Sequence, residues 1–158
     1  MNFRKLGSLI LILAVCLSTP AFAAKVPSFS IPALNSSSNM TNHDFKSCSL
    51  LTIWASWCPA CKYEHSYMMT LSSKIPMYAI AYQDDHQNLK TLLAERGNPY
   101  RKIGFDDNGA VADKFHTTGV PETLLIDKSG EILYHLHGVM TQEIWQQDFL
   151  PLISKHCK

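Results

Sequence analysis

Two cysteines three positions apart, in the run Trp57-Cys58-Pro59-Ala60-Cys61, are the residues best placed to do chemistry. They follow a short apolar run, Leu50-Leu51-Thr52-Ile53-Trp54-Ala55, with the composition of a buried strand. Pro59 suits the first turn of a helix, where its missing N–H is no loss. The spacing therefore predicts Cys58 at a helix N-terminus, whose free N–H groups and macrodipole favour negative charge. The thiolate is the nucleophile of disulfide exchange, so Cys58 is the expected attacking sulfur, exposed and readily ionised. Cys61 lies one turn along, close enough to form a disulfide with Cys58. The helix shields it, which suits a sulfur that resolves a mixed disulfide.

Other chemistries of a CxxC fit less well. A zinc site would need two further ligands; His65 lines up with Cys58 and Cys61, but a fourth ligand is missing. Covalent haem attachment would need His directly after the second Cys, where Lys62 stands. A purely structural disulfide within CxxC would be strained and reducible. Of the remaining histidines, His43, His86, His116, His135, His137 and His156 show no convincing ligand spacing. His135 and His137 alternate on an expected strand and share a face, which reads as surface or packed histidine. No metal and no organic cofactor are expected.

The elements that must position the pair follow from periodicity and turn chemistry. After the strand at 50–55 the pattern predicts a helix from Pro59 to about Ser73, with Tyr63, Tyr67, Met68 and Leu71 inward. A second strand is expected at 77–82, and a helix at 86–96 behind Asp84-Asp85, since acids suit a helix start. A short strand at 102–105 and a brief helix at 110–115 come next. Strands at 123–126 and 131–135 flank the hairpin signal Asp127-Lys128-Ser129-Gly130. A last helix runs from 141 to 156, with Ile144, Phe149 and Leu152 among its apolar residues. The order predicts an α/β fold on a mixed sheet.

Length and composition bound the rest. At 158 residues, 46% hydrophobic and 17% charged, the chain is one domain with a real core, not a disordered tail. A net charge of +1 does not point to nucleic acid. Arg4-Lys5, an apolar run from Leu6 to Leu17 and the small residues Ala21-Phe22-Ala23-Ala24 read as an export signal with an expected cleavage after Ala23. An uncleaved N-terminal anchor is the rival reading of residues 1–23. Cleavage would remove Cys16 and leave four cysteines, Cys48, Cys58, Cys61 and Cys157, an even set compatible with disulfides in an exported protein. Residues 24–47, interrupted by Pro27 and Pro32, read as a lead-in to a domain at 48–158.

Several segments carry a resemblance. WASWCPACKYEH (54–65), YQDD (82–85), GNPY (97–100), FDDNG (105–109) and GVPETLLID (119–127) together resemble the thioredoxin superfamily. More narrowly, the chain is similar to the DsbE/CcmG-type periplasmic thiol:disulfide interchange proteins of cytochrome c maturation. The WCxxC alone specifies only the superfamily; the PET after Val120 and the GNPY favour the narrower group. The resemblance implies a thioredoxin fold, a mixed central sheet flanked by helices. It matches Pro121 to the family's cis-proline, which packs on the CxxC, and Glu64 and Glu122 to acidic residues near the site. Trp57 and Val120 would help dock the partner. In that layout Cys48 and Cys157 come to the same end of the sheet, where a structural disulfide between them is plausible.

The resemblance also implies the activity and its partners. The expected function is a periplasmic reductant of apocytochrome c, or of a cytochrome c maturation thiol protein, re-reduced by a DsbD-type transmembrane electron donor. The same dithiol could run in the other direction, as an oxidant or isomerase for secreted proteins. A non-catalytic binding module on the same fold is a further alternative. Two departures stand out. Thioredoxins carry a buried Asp six residues before the first Cys, where this chain has Thr52, so interest shifts to Glu64 and Glu122 for proton transfer. Family members are commonly anchored in the inner membrane, whereas this leader looks cleavable.

Overall fold

The computed structural model describes residues 24–34 and 36–157, so the expected leader lies outside the described residues. The chain enters through two short strands, β1 (Ser30–Ile31) and β2 (Met40–Thr41), paired antiparallel. A 3-10 turn (Asn42–Asp44) follows. Its Thr41 hydroxyl accepts from the His43 N–H, while the Asp44 carboxylate accepts from the Thr41 N–H. The main body then runs β3 (Ser49–Trp54), α1 (Pro59–Leu71), β4 (Met77–Tyr82), α2 (His86–Arg96), β5 (Lys102–Asp106), α3 (Ala110–Lys114), β6 (Glu122–Ile126) and β7 (Ile132–His137). The C-terminal helix is built from α4 (Gln142–Ile144), a π turn (Trp145–Phe149) and α5 (Leu150–His156). Pro151 has no N–H for the carbonyl four residues back, and a widened turn just ahead of it accommodates that loss.

The five-stranded sheet has the order β5-β4-β3-β6-β7. β3 pairs parallel with β4, and β4 with β5, while β6 runs antiparallel to both β3 and β7. This is the mixed α/β sheet flanked by helices that the sequence pattern anticipates. Every residue of central β3 is buried because both sheet faces are covered, which is why it reads as a continuous apolar run. Leu50 and Trp54 face a core completed by Met68 and Leu71 of α1, Leu89 and Leu92 of α2, and Trp145 and Phe149. Leu51 and Ile53 face a second core with Val111 of α3 and Phe115 just beyond it.

The lead-in supplies much of that second core through Phe29, Ile31, Met40 and Phe45. Its backbone is stitched to two sheet edges. Leu34 N–H donates to the Ile103 carbonyl at 2.8 Å, and Phe105 N–H to Pro32 at 2.8 Å. Val26 N–H donates to Gly130 in the hairpin turn. Ile31 crosses so close to β5 that a Cβ on Gly104 would meet its Cδ1, so glycine alone fits there. These two-residue strands are too short to leave a periodic signature, and Pro27 and Pro32 mask them.

The structure also corrects the inner face of α1. Cys61, Glu64, His65, Met68 and Leu71 are buried, whereas Tyr63 is 79% exposed. The stripe still follows helical spacing, but two polar residues occupy it because each finds a backbone partner. Glu64 accepts from the Met140 N–H, and a His65 ring nitrogen pairs with the Gly97 carbonyl.

Cys48 and Cys157 are joined in a disulfide that closes a span of 109 residues. Cross-linking so long a loop restricts the unfolded chain most. Replacing both cysteines by serine is expected to lower unfolding stability by up to about 4–5 kcal/mol. Urea denaturation of the oxidised protein measures this, and an unchanged midpoint would refute a stabilising role.

Candidate active site

β3 ends at Trp54, and the chain turns through Ala55-Ser56-Trp57 before coiling into α1. Cys58 is the N-cap of α1, with Pro59 in the first turn. Its Sγ accepts from the Cys61 N–H at 3.1 Å. A sulfur in that position faces the free donors of the helix start, the environment that favours a thiolate. Cys58 and Cys61 are bonded as a disulfide.

Cys58 is only 3% exposed, which corrects the expectation of an open attacking sulfur. The accessible surface belongs to its neighbours instead. Trp57 is 53% exposed, and Pro59 is exposed. The Trp57 indole is fixed by a hydrogen bond from its Nε1–H to the Gln83 carbonyl at 3.1 Å. Beneath it, the buried Asp84 carboxylate accepts from both the N–H and the hydroxyl of Ser56. The acidic pair therefore divides its work. Asp85 caps α2 through the Gln87 and Asn88 N–H groups, and Asp84 holds the loop that presents Cys58. Sequence reasoning assigned both to the helix start and missed this loop-holding contact. The partner is 28 residues away, and no local signal reveals it.

The opposite wall is the loop before β6. The Val120–Pro121 peptide is cis. The Val120 carbonyl oxygen lies 3.5 Å from Cys58 Sγ. Val120 is half-buried and Gly119 exposed, so the backbone here borders the sulfur and also faces solvent.

Two buried carboxylates, Glu64 of α1 and Glu122 at the start of β6, sit in contrasting surroundings. Glu64 lies one helical turn beyond Cys61 and is 3% exposed. Burial pushes its carboxyl up to about 7, opposed only by the Met140 N–H, which donates to Oε2 at 2.7 Å. Tyr100 belongs to the core on that side of the sheet and is buried. Burial and the Glu64 charge push its phenol up, opposed by a hydrogen bond with Thr52. Thr52 stands where thioredoxins carry Asp, and its hydroxyl lies 3.4 Å from that of Thr123. The region behind the cysteines thus holds hydroxyls and one carboxyl poised near neutrality.

Glu122 is 1% exposed, yet its burial is outweighed. Burial raises its carboxyl. Hydrogen bonds from the His137 ring, the Thr118 N–H, the His135 ring and the Thr118 hydroxyl together hold it below the usual value. Oε1 accepts from the Thr118 N–H (2.9 Å), the Thr118 hydroxyl (3.1 Å) and His137 Nδ1 (2.9 Å), and Oε2 from His135 Nε2 (2.8 Å). Strand pairing creates this cluster, since Glu122 lies opposite His137 and Leu124 opposite His135 in the β6–β7 ladder.

The comparisons with known proteins agree with this arrangement. Residues 22–149 match the Redoxin family. Over 158 aligned residues the chain is 34% identical to DsbE-2 of Pasteurella multocida, assigned there as a thiol:disulfide interchange protein, covering 90% of this chain and 84% of the relative. It is 39% identical over 110 residues to the Escherichia coli K12 thiol:disulfide interchange protein DsbE, covering 69% of this chain and 60% of that one. Among solved structures, a thiol-disulfide oxidoreductase of Bacteroides fragilis superposes with a TM-score of 0.69 at 19% identity, covering 82% of this chain and 99% of that one. A Chlorobium tepidum protein assigned as DsbE gives 0.68 at 24% identity, covering 79% and 93%. At these identities the structural likeness speaks for the fold.

The raised Glu64 carboxyl has a measurable consequence. Its folded value lies above the 4.5 of an ordinary Glu, so the folded state holds that proton more tightly than the unfolded chain. Stability must then fall as pH rises from about 4.5 to about 7, by roughly 3 kcal/mol for this group. Glu64→Gln keeps an acceptor for the Met140 N–H and cannot ionise. Denaturant curves across that pH range should show the decline in the parent protein and a flatter profile in the variant. Parallel profiles would contradict the burial argument.

Proposed function

The chain belongs to the Redoxin family, among its DsbE-type thiol:disulfide interchange proteins, and from that premise we propose that it is a periplasmic reductant whose working groups are Cys58 and Cys61. The observation that carries this reading is the Cys58–Cys61 disulfide at the α1 N-cap, with the Val120 carbonyl 3.5 Å from the first sulfur.

The reaction begins with both cysteines reduced. The Cys58 thiolate attacks one sulfur of a partner disulfide, and the other partner sulfur leaves as a thiolate and takes up a proton. Cys61 then loses its proton and attacks Cys58 Sγ. The second partner sulfur departs, and the Cys58–Cys61 disulfide forms. Two electrons have passed to the partner, which leaves as a dithiol. Glu64 is the base that this second step calls for. It is buried on the same helix face as Cys61, and a carboxyl near 7 can accept a proton at neutral pH and return it. Glu122, held ionised by four hydrogen bonds, has no such freedom and acts instead by fixing the Thr118–Glu122 loop.

Trp57 and Val120 form the docking rim, with the backbone before Pro121 offering hydrogen-bonding groups to an extended partner segment. The partner we infer is apocytochrome c or a maturation protein carrying its thiols. A DsbD-type membrane protein would return the electrons. Export by residues 1–23 fits this role. Among the described residues no helix is long and apolar enough to cross a membrane.

Cys61→Ala should stall the exchange at the mixed disulfide and leave clients covalently attached, releasable by dithiothreitol, while Cys58→Ser captures none. Identifying cytochrome c maturation proteins among the captured clients supports the assignment, and finding only unrelated secreted proteins overturns it. In the intact dithiol, Glu64→Gln should slow release from a preformed mixed disulfide by about 100-fold. A glutathione equilibrium near the strongly oxidising ~−120 mV of DsbA would mark the protein as an oxidant instead.

A further inference from the structure

The Glu122 cluster holds more than one buried carboxylate needs. His135 and His137 project from the same face of β7 with their rings stacked, centroids 4.1 Å apart and planes 29° from parallel. Both turn a nitrogen to the same carboxylate, His135 Nε2 at 2.8 Å and His137 Nδ1 at 2.9 Å. One ligand atom from each of the three residues lies within 4.8 Å of the others. We propose that Glu122, His135 and His137 form a binding site for a divalent transition-metal ion of the zinc type.

The geometry and the chemistry of the donors point the same way. Zinc–nitrogen and zinc–oxygen bonds of about 2.0 Å in a tetrahedron place neighbouring ligand atoms about 3.3 Å apart. The carboxylate already stands 2.8 Å from His135 Nε2 and 2.9 Å from His137 Nδ1, and one ligand atom of each residue lies within 4.8 Å of the others, so side-chain rotations alone would bring the three donors to that spacing. Each neutral imidazole would ligate through the nitrogen now facing the carboxylate and carry its proton on the other ring nitrogen. Oε1 is already fixed by the Thr118 N–H and hydroxyl, which orient the carboxylate, while Oε2 has His135 Nε2 as its partner and would turn to the ion once that nitrogen ligates it. Side chains of His137 are about half exposed, so an ion can enter and retain water in its remaining positions.

Charge balance adds an independent reason. A buried carboxylate is normally matched by a cation or a metal. Among the described residues the ion-pair partners of Glu122 are His135 and His137, with no Lys or Arg. A divalent ion held by both rings would give this carboxylate a cationic partner. Two imidazoles and a single carboxylate suit zinc and its borderline neighbours, not magnesium or calcium, which prefer oxygen-rich sites. The site borders the dithiol rim, since Glu122 directly follows Val120–Pro121, but it uses neither cysteine. It therefore holds whichever way the dithiol exchanges electrons.

The test uses the full chain, oxidised and with any free thiol alkylated, titrated calorimetrically with zinc chloride just above neutral pH. One ion per chain is expected. His135→Ala and His137→Ala should each weaken binding at least about tenfold, whereas His43→Ala/His156→Ala leaves it unchanged and excess magnesium does not compete. Should either site variant misfold, the parent protein still decides the matter. Substoichiometric cobalt(II) must broaden the imidazole resonances of His135 and His137 before those of other histidines. Absence of zinc binding, binding that survives both site variants, or broadening centred elsewhere would overturn the site.

Discussion

The site depends on one junction, the point where buried β3 ends and α1 begins. β3 is clamped between β4 and β6 and covered on both faces, so its end is a fixed point in the fold. Pro59 starts the helix there without wasting a donor, and Cys58 becomes the cap. The Cys61 N–H that would otherwise lack a partner finds the Cys58 sulfur. Asp84 reinforces the junction from β4's side by holding both polar groups of Ser56, and the Trp57 indole is anchored to Gln83. Disulfide exchange requires near-linear approach of three sulfurs, and a cap held from two sides suits that demand.

Around this fixed point the protein sets two carboxylates apart by environment alone. Glu64 has one backbone donor and a surrounding of apolar side chains and hydroxyls, so its proton is held near neutrality. Glu122 is as deeply buried but has donors on both oxygens, so its charge persists. Two acids of the same type thus differ in protonation, one carboxyl raised to near neutrality by burial and the other held below its usual value by donors on both oxygens. Thr52 removes the buried acid that thioredoxins place behind their cysteines, and Glu64 reaches the same region from the helix instead.

Much of the frame was legible along the chain. β4 and α2 occupy the expected residues, β3 is shifted by one residue at both ends, β5 and α3 each differ by one residue at the C-terminal end, and the 127–130 turn joins β6 to β7 as its residues suggest. These elements carry strong local signals: continuous apolar runs, acids at a helix start, Asp and Gly in a turn. The lead-in was less legible. Strands of two residues have no period, and the contacts that fix Ile31 and Phe45 lie far off in sequence. The inner face of α1 was misread at Tyr63 for a related reason. Apolarity alone marks a stripe, whereas Glu64 and His65 are buried because Met140 and Gly97 supply backbone partners from other elements.

The residues alone determined the class of chemistry: a CxxC at a strand-to-helix transition has its two sulfurs and the N–H groups that favour a thiolate within a few positions, all set by local backbone geometry. Only the tertiary structure decided how the surroundings are charged. Glu122 is thirteen and fifteen residues from His135 and His137, and it is the antiparallel register of β6 and β7 that brings them within hydrogen-bonding distance. Burial and hydrogen bonding across elements set whether a carboxyl keeps or loses its proton, and neither quantity exists until the chain has packed.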